Sequence, residues 1–124
     1  MLDPMKLAQA ILFVNDAARM QAFYEALGLC VVDGSAADGF VRLADPAGGA
    51  VLALHTTKAA GPGGPARTDT WTKLCFQVED VDGERAALVA RGVKMRDAHR
   101  FESIAFCDGT DPEGNIFQIT TRSS

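Results

Sequence analysis

The chain has 124 residues, 48% of them hydrophobic and 23% charged, which is enough apolar sequence for one domain with a core and argues against disorder. Its net charge is −4 and its Lys and Arg are scattered without a basic run, which argues against a nucleic acid or an anionic membrane as partner. No apolar run approaches the ~20 residues that cross a bilayer, and the start, with Asp3 and Pro4 ahead of Lys6, does not read as a secretory leader, so a cytoplasmic protein is expected.

Leu7 to Val14 is mostly apolar and ends at Asn15-Asp16, so it reads as a strand buried on both faces. Asn15 or Asp16 can cap the next element through a side-chain oxygen. Met20, Phe23, Tyr24 and Leu27 fall at i, i+3, i+4 and i+7, the apolar stripe of a helix, and Gly28 stands where a left-handed stop is wanted. Cys30 to Val32 starts a second strand, Ser35 to Gly39 a turn, and Phe40 to Leu43 a third strand. Asp45 to Gly49 is a turn with Pro46 at its second position, and Val51 to His55 is the fourth strand. Residues 59–70, rich in Gly, Pro and Ala, read as a linker or a loop over a site.

The second half repeats this plan. Thr72 to Val78 is a strand, Asp80 a cap, Asp82 to Arg91 a helix, and Gly92 its stop. Val93 to Met95, Ile104 to Cys107 and Ile116 to Thr120 are three further strands, with His99 in a loop before the second of them. Gln9 to Leu29 thus recurs as Lys73 to Val93, and Asp45-Pro46-Ala47-Gly48 recurs as Asp111-Pro112-Glu113-Gly114. The fold expected is α+β. It is a single domain over 1–124, built of two βαβββ modules, 7–58 and 71–122, joined by the linker at 59–70. Each half leaves a sheet face that needs covering. The three cysteines, Cys30, Cys75 and Cys107, show no C-x-x-C spacing and read as reduced, buried, small apolar side chains.

These residues resemble the vicinal oxygen chelate family, which includes glyoxalase I, extradiol dioxygenases, fosfomycin-modifying enzymes and bleomycin-binding proteins. The resemblance rests on V-x-D at Val14 to Asp16, F-Y-x-x-L-G-L at Phe23 to Leu29, V-x-D-V at Val78 to Val81, the Gly92 stop, and D-P-E-G-N at Asp111 to Asn115. It covers nearly the whole chain. It implies that the eight strands curl into one mixed sheet with the helices outside, that a ligand sits on the concave face, and that the protein is usually a homodimer.

In the metal-dependent members, the resemblance implies four ligands, from the first and fourth strands of each module. Here those positions read Gln9, Ala53, Lys73 and Gln118. Ala has no donor atom, an ammonium has no lone pair, and no carboxylate or His stands among the four. No metal, no other cofactor and no catalytic residue is therefore expected. The turn before the fourth strand is one residue longer than its repeat, so two registers stand open. In the preferred one Val51, Ala53 and His55 face inward while Leu52 and Leu54 pack on the helix; a slip of one residue exchanges the faces.

The inward faces are then expected to carry Gln9, Ile11, Phe13, Phe40 and Arg42 in the first module. The second contributes Lys73, Cys75, Gln77, Ile116, Gln118 and Thr120. From these and their neighbours, Gln9, Phe13, Phe40, Arg42, His55, Trp71, Lys73 and Gln118 are expected to line a ligand site. Four of these have a plainer reading. Arg42 can snorkel at the surface, Lys73 can be a strand-start charge, and Trp71 can serve the core, a hinge or an interface. His55 is either a base or metal ligand or a rim histidine bonded locally. Phe101 and Phe106 read as core or pocket wall. The function expected is a metal-free small-molecule binding protein of the bleomycin-resistance type, holding an antibiotic-like or other planar ligand in a dimer groove. The alternative is a metal-dependent lyase, isomerase or dioxygenase with an atypical site around His55; a third reading is an interaction module that kept the fold and lost the site.

Overall fold

The computed structural model describes residues 7–56 and 72–122. The linker at 59–70 and Trp71 lie outside the described residues. The chain divides into two compact units, Met1–Pro65 and Ala66–Ser124.

In the first unit, strand β1 (Gln9–Val14) leads to helix α1 (Ala17–Ala26), and β2 (Cys30–Ser35), β3 (Phe40–Ala44) and β4 (Val51–Thr56) follow. The second unit repeats this order with β5 (Leu74–Gln77), α2 (Val81–Ala90), β6 (Lys94–Phe101), β7 (Ile104–Thr110) and β8 (Ile116–Thr120). Each unit holds a four-stranded mixed sheet, ordered β1-β4-β3-β2 and β5-β8-β7-β6. In each, the first strand pairs parallel with the last and the remaining pairs are antiparallel. The α+β class and the two βαβββ modules are as the sequence predicts.

The helices begin and end alike. Of the two capping candidates before α1, Asp16 takes the role, accepting from the Arg19 N–H at 3.1 Å; before α2, Asp80 accepts from the Gly83 N–H at 3.0 Å. At the far ends Gly28 (φ 116°) and Gly92 (φ 87°) turn left-handed. This lets the Leu29 and Val93 N–H groups reach back to the Tyr24 and Leu88 carbonyls. α1 buries Ala17, Met20 and Tyr24 and packs on β3 and β4. α2 buries Val81 and Leu88 and packs on β6, β7 and β8. Among the described residues, no helix is long and apolar enough to cross a membrane.

Three expectations are corrected. β1 is not buried on both faces: it lies at a sheet edge, and Ile11 and Phe13 stay 46% and 50% exposed while Val14 is fully buried. His99 is not in a loop, because β6 runs through to Phe101 and pairs His99 with Phe106. The charged run Lys94 to Arg100 hid this strand. β6 is an edge, where charges face water at little cost, and its register shifts between Met95 and Ala98, which breaks the alternation. Finally, Cys30 and Cys75 are exposed and only Cys107 is buried. Burial pushes the Cys107 thiol above its ordinary pKa, Asp108 and Asp97 add to this, and Arg85 opposes it. With Ellman's reagent the folded protein should therefore release two thiols rapidly and the third only on unfolding; three equally fast thiols would contradict this placement.

Candidate functional site

Two sheet faces, one per unit and each opposite its helix, carry the predicted site residues other than Trp71, which lies outside the described residues. In the first unit the preferred register of β4 holds. Ile11 pairs with Ala53 and Phe13 with His55, while Leu52 and Leu54 are buried on the helix side. Arg42, on β3, sits across from Ala53 on β4 and from Asp33 on β2. Its Nε donates to Gln9 Oε1 at 3.0 Å and its Nη1 to Asp33 Oδ2 at 2.6 Å. Arg42 is thus not a loose surface side chain. Its two bonds fix Gln9 and leave the guanidinium one planar orientation. Beside this network the His55 imidazole meets the rings of Phe13 and Phe40 edge-on, each at a centroid distance of 5.5 Å. These ring contacts make His55 part of an aromatic rim.

In the second unit the corresponding pairing sets Gln118 across from Asp108. Asp108 therefore stands where the first unit has Arg42, and the repeat places opposite charges at equivalent points. Lys73, just ahead of β5, donates to Asp108 Oδ2 at 2.8 Å, and Gln118 Nε2 donates to Asp108 Oδ1 at 2.9 Å. The Cys75 thiol makes a long contact of 3.8 Å to Gln118 Oε1. Burial alone would raise the Asp108 pKa; the bonds from Lys73 and Gln118 and the charges of Lys73 and Arg96 outweigh it and hold the carboxyl below its ordinary value. A depressed carboxylate stabilises the fold fully above the unfolded value, near pH ~4, and loses that contribution as pH falls through the folded value. The advantage of the wild type over Asp108→Asn in urea midpoints should therefore shrink on acidification below about pH 4. Lys73 is 41% exposed, so this advantage amounts to about 1 kcal/mol or less at neutral pH.

Next to Gln118 an open cavity of about 320 Å³ is lined by Phe101, Ile104, Phe106, Gln118 and Arg122. His99 stacks on Phe106 with the ring planes tilted by 33° and the centroids 5.6 Å apart. Of the two readings of Phe101 and Phe106, core or pocket wall, both residues line this cavity.

Sequence reasoning missed Asp33, Asp108, Ile104 and Arg122. For Asp108 and Ile104 the signal was present: in Ile104 to Thr110 every second residue falls on one face, and carrying that alternation past Cys107 reaches Asp108. For Arg122, which follows the last strand, no periodic signal existed.

The family model described as the Glyoxalase/Bleomycin resistance protein/Dioxygenase superfamily matches residues 6–119. The chain belongs to this superfamily. Solved structures similar to it include a glyoxalase/dioxygenase from Nostoc punctiforme at 19% identity and a TM-score of 0.77, covering 100% of this chain and 97% of that one. TnmS3, an antibiotic binding protein from Streptomyces sp. CB03234, is 20% identical with a TM-score of 0.75, covering 99% and 100%. A lactoylglutathione lyase from Agrobacterium tumefaciens is 21% identical with a TM-score of 0.71, covering 94% and 93%. At such identities the likeness is one of fold. No curated protein matches the chain at a significant level.

The superfamily's metal positions do not fit a divalent ion in this chain. Gln9 Oε1 already accepts from Arg42, and Ala53 is fully buried and offers no donor. Lys73 presents an ammonium held on Asp108, and Gln118 is turned to the same carboxylate. Among the described residues, no group of three or more His, Cys, Asp or Glu gathers as ligands.

Proposed function

We propose that this superfamily member is a small-molecule binding protein that works without a metal, taking an antibiotic-like or other planar ligand on the sheet faces opposite its helices. The observation that carries the reading is the state of the polar groups there. Gln9, Arg42 and Asp33 satisfy one another, as do Lys73, Asp108 and Gln118, and each network borders aromatic surface. Charges tied up in this way position walls and supply hydrogen bonds, but they lack the electrophile that the lyase and dioxygenase reactions of such sites require. Gln9, Phe13, Phe40, Arg42 and His55 serve the first unit's face, and Lys73 and Gln118 serve that of the second. Trp71 contributes a stacking surface. The reading carries with it a cytoplasmic homodimer, with a groove between copies as the binding place.

The test is a ligand screen by Trp71 fluorescence, Trp71 being the single Trp of the chain, run with and without EDTA. Binding of a planar compound with the same affinity in both arms is the expected result. Turnover of a glyoxalase or dioxygenase substrate that EDTA abolishes would replace this reading with the enzymatic one.

A further inference from the structure

Resting on that binding reading, we infer that the cavity of the second unit selects a small aromatic anion: a one- or two-ring arene bearing a carboxylate or a group of like charge. Three of the five lining side chains, Phe101, Ile104 and Phe106, are apolar, and two of those are aromatic. Phe106 is held by its stacking on His99, and Phe101 is 65% exposed, which leaves its ring open to contact. Such walls favour a flat ring in offset or edge contact. The remaining two, Gln118 and Arg122, supply the polar end. The backbone N–H of Arg122 is fixed by the Thr120 hydroxyl at 3.1 Å, which ties down the root of the side chain. No hydrogen-bond or ion-pair partner holds its guanidinium among the described residues. A planar guanidinium without an acid, at the edge of an aromatic wall, matches a carboxylate in two-point geometry.

The charge of the remaining neighbours points the same way. The carboxylate next to Gln118 is Asp108, and Lys73 at 2.8 Å already balances it. Arg122 is therefore the one charged side chain of the lining, and it opposes a cationic arene. Size limits the ligand further. A cavity of about 320 Å³ lies at the lower end of the ~300–1,000 Å³ typical of small-molecule sites, which suits one or two rings and not a large peptide antibiotic.

The experiment compares three isosteric probes, naphthoate, naphthamide and naphthylmethylammonium, titrated into the full chain and followed by backbone amide NMR shifts. Naphthoate should bind about tenfold more tightly than naphthamide, with shifts centred on Phe101, Ile104, Phe106 and Gln118. In Arg122→Gln, an exposed substitution that keeps the spectrum of a folded protein, naphthoate and naphthamide should bind with equal affinity. Equal binding of the two in the wild type, a preference for the cation, or a preference for naphthoate that survives Arg122→Gln would overturn the inference while leaving a binding protein in place. No shift at these residues with any of the three would likewise overturn the inference, while the binding reading stands or falls separately on the Trp71 screen with and without EDTA.

Discussion

Replacing Asp111 with Ala should destabilise the chain by about 3 kcal/mol or more, measured by urea unfolding. Asp111 is 4% exposed and closes the turn between β7 and β8. Its Oδ1 accepts from the Glu113 N–H at 2.9 Å, the Asn115 N–H at 2.9 Å and Asn115 Nδ2 at 3.1 Å; its Oδ2 accepts from Asn115 Nδ2 at 2.8 Å. Glu113 and Asn115 are buried too, so removing the carboxylate strands donors that water cannot reach. The repeat supplies an internal control. Asp45 begins the matching turn of the first unit, but it is exposed and, among the described residues, its side chain accepts only from the Ala47 N–H at 2.7 Å. Asp45→Ala should cost about 1 kcal/mol or less. Equal losses at the two positions would contradict the assignment. Because the Asp111 turn sets the register that brings Gln118 across from Asp108, the same substitution should also weaken any ligand held beside Gln118.

Phe117→Ala should cost about 3–5 kcal/mol, the range for removing a fully buried aromatic side chain. Phe117 is 0% exposed and meets Phe76 edge-on at 6.2 Å. The site has little room to close over the void. Phe117 pairs with Gly109 on β7, and a Cβ added at Gly109 would come within 2.9 Å of the Phe117 ring and would collide with Met95 Sδ. Neighbours packed this tightly leave a cavity in place of a collapse. Phe117→Leu, which refills most of the volume, should recover most of the loss. A Phe117→Ala loss below about 1 kcal/mol would mean that this core is not packed as described.

The helices were legible in the sequence because their signals are local: an acid at the cap, an apolar stripe and a glycine stop, written twice. The register of β4 was only preferred in the sequence, with two choices open, and strand pairing decides it by setting Ile11 beside Ala53 and Phe13 beside His55. Only the start of β6, at Val93 to Met95, was legible; its continuation to Phe101 was not, since a charged edge strand with a register shift carries no two-residue apolar alternation. Of the site, Gln9, Lys73 and Gln118 could be named from the family resemblance, and Arg42 from the alternation of its strand. Their partners could not. Asp33 and Asp108 become visible only when strand pairing fixes which charge faces which, and the sequence gives the members of a ladder without its rungs. The exposure of Cys30 and Cys75 was hidden for a similar reason, because small thiols fit an edge strand as readily as a core.

The central claim is that the residues at the superfamily's metal positions exclude a divalent ion. Its most direct test is metal content. The purified, untagged chain is equilibrated with Ni(II), Zn(II), Mn(II) and Fe(II) in turn, desalted, and assayed for metal per chain. The account predicts well under one equivalent for every ion, since Ala53 offers no donor and Lys73 an ammonium. One equivalent retained per chain, and lost in His55→Ala, would contradict it and make His55 the centre of a metal-dependent enzyme.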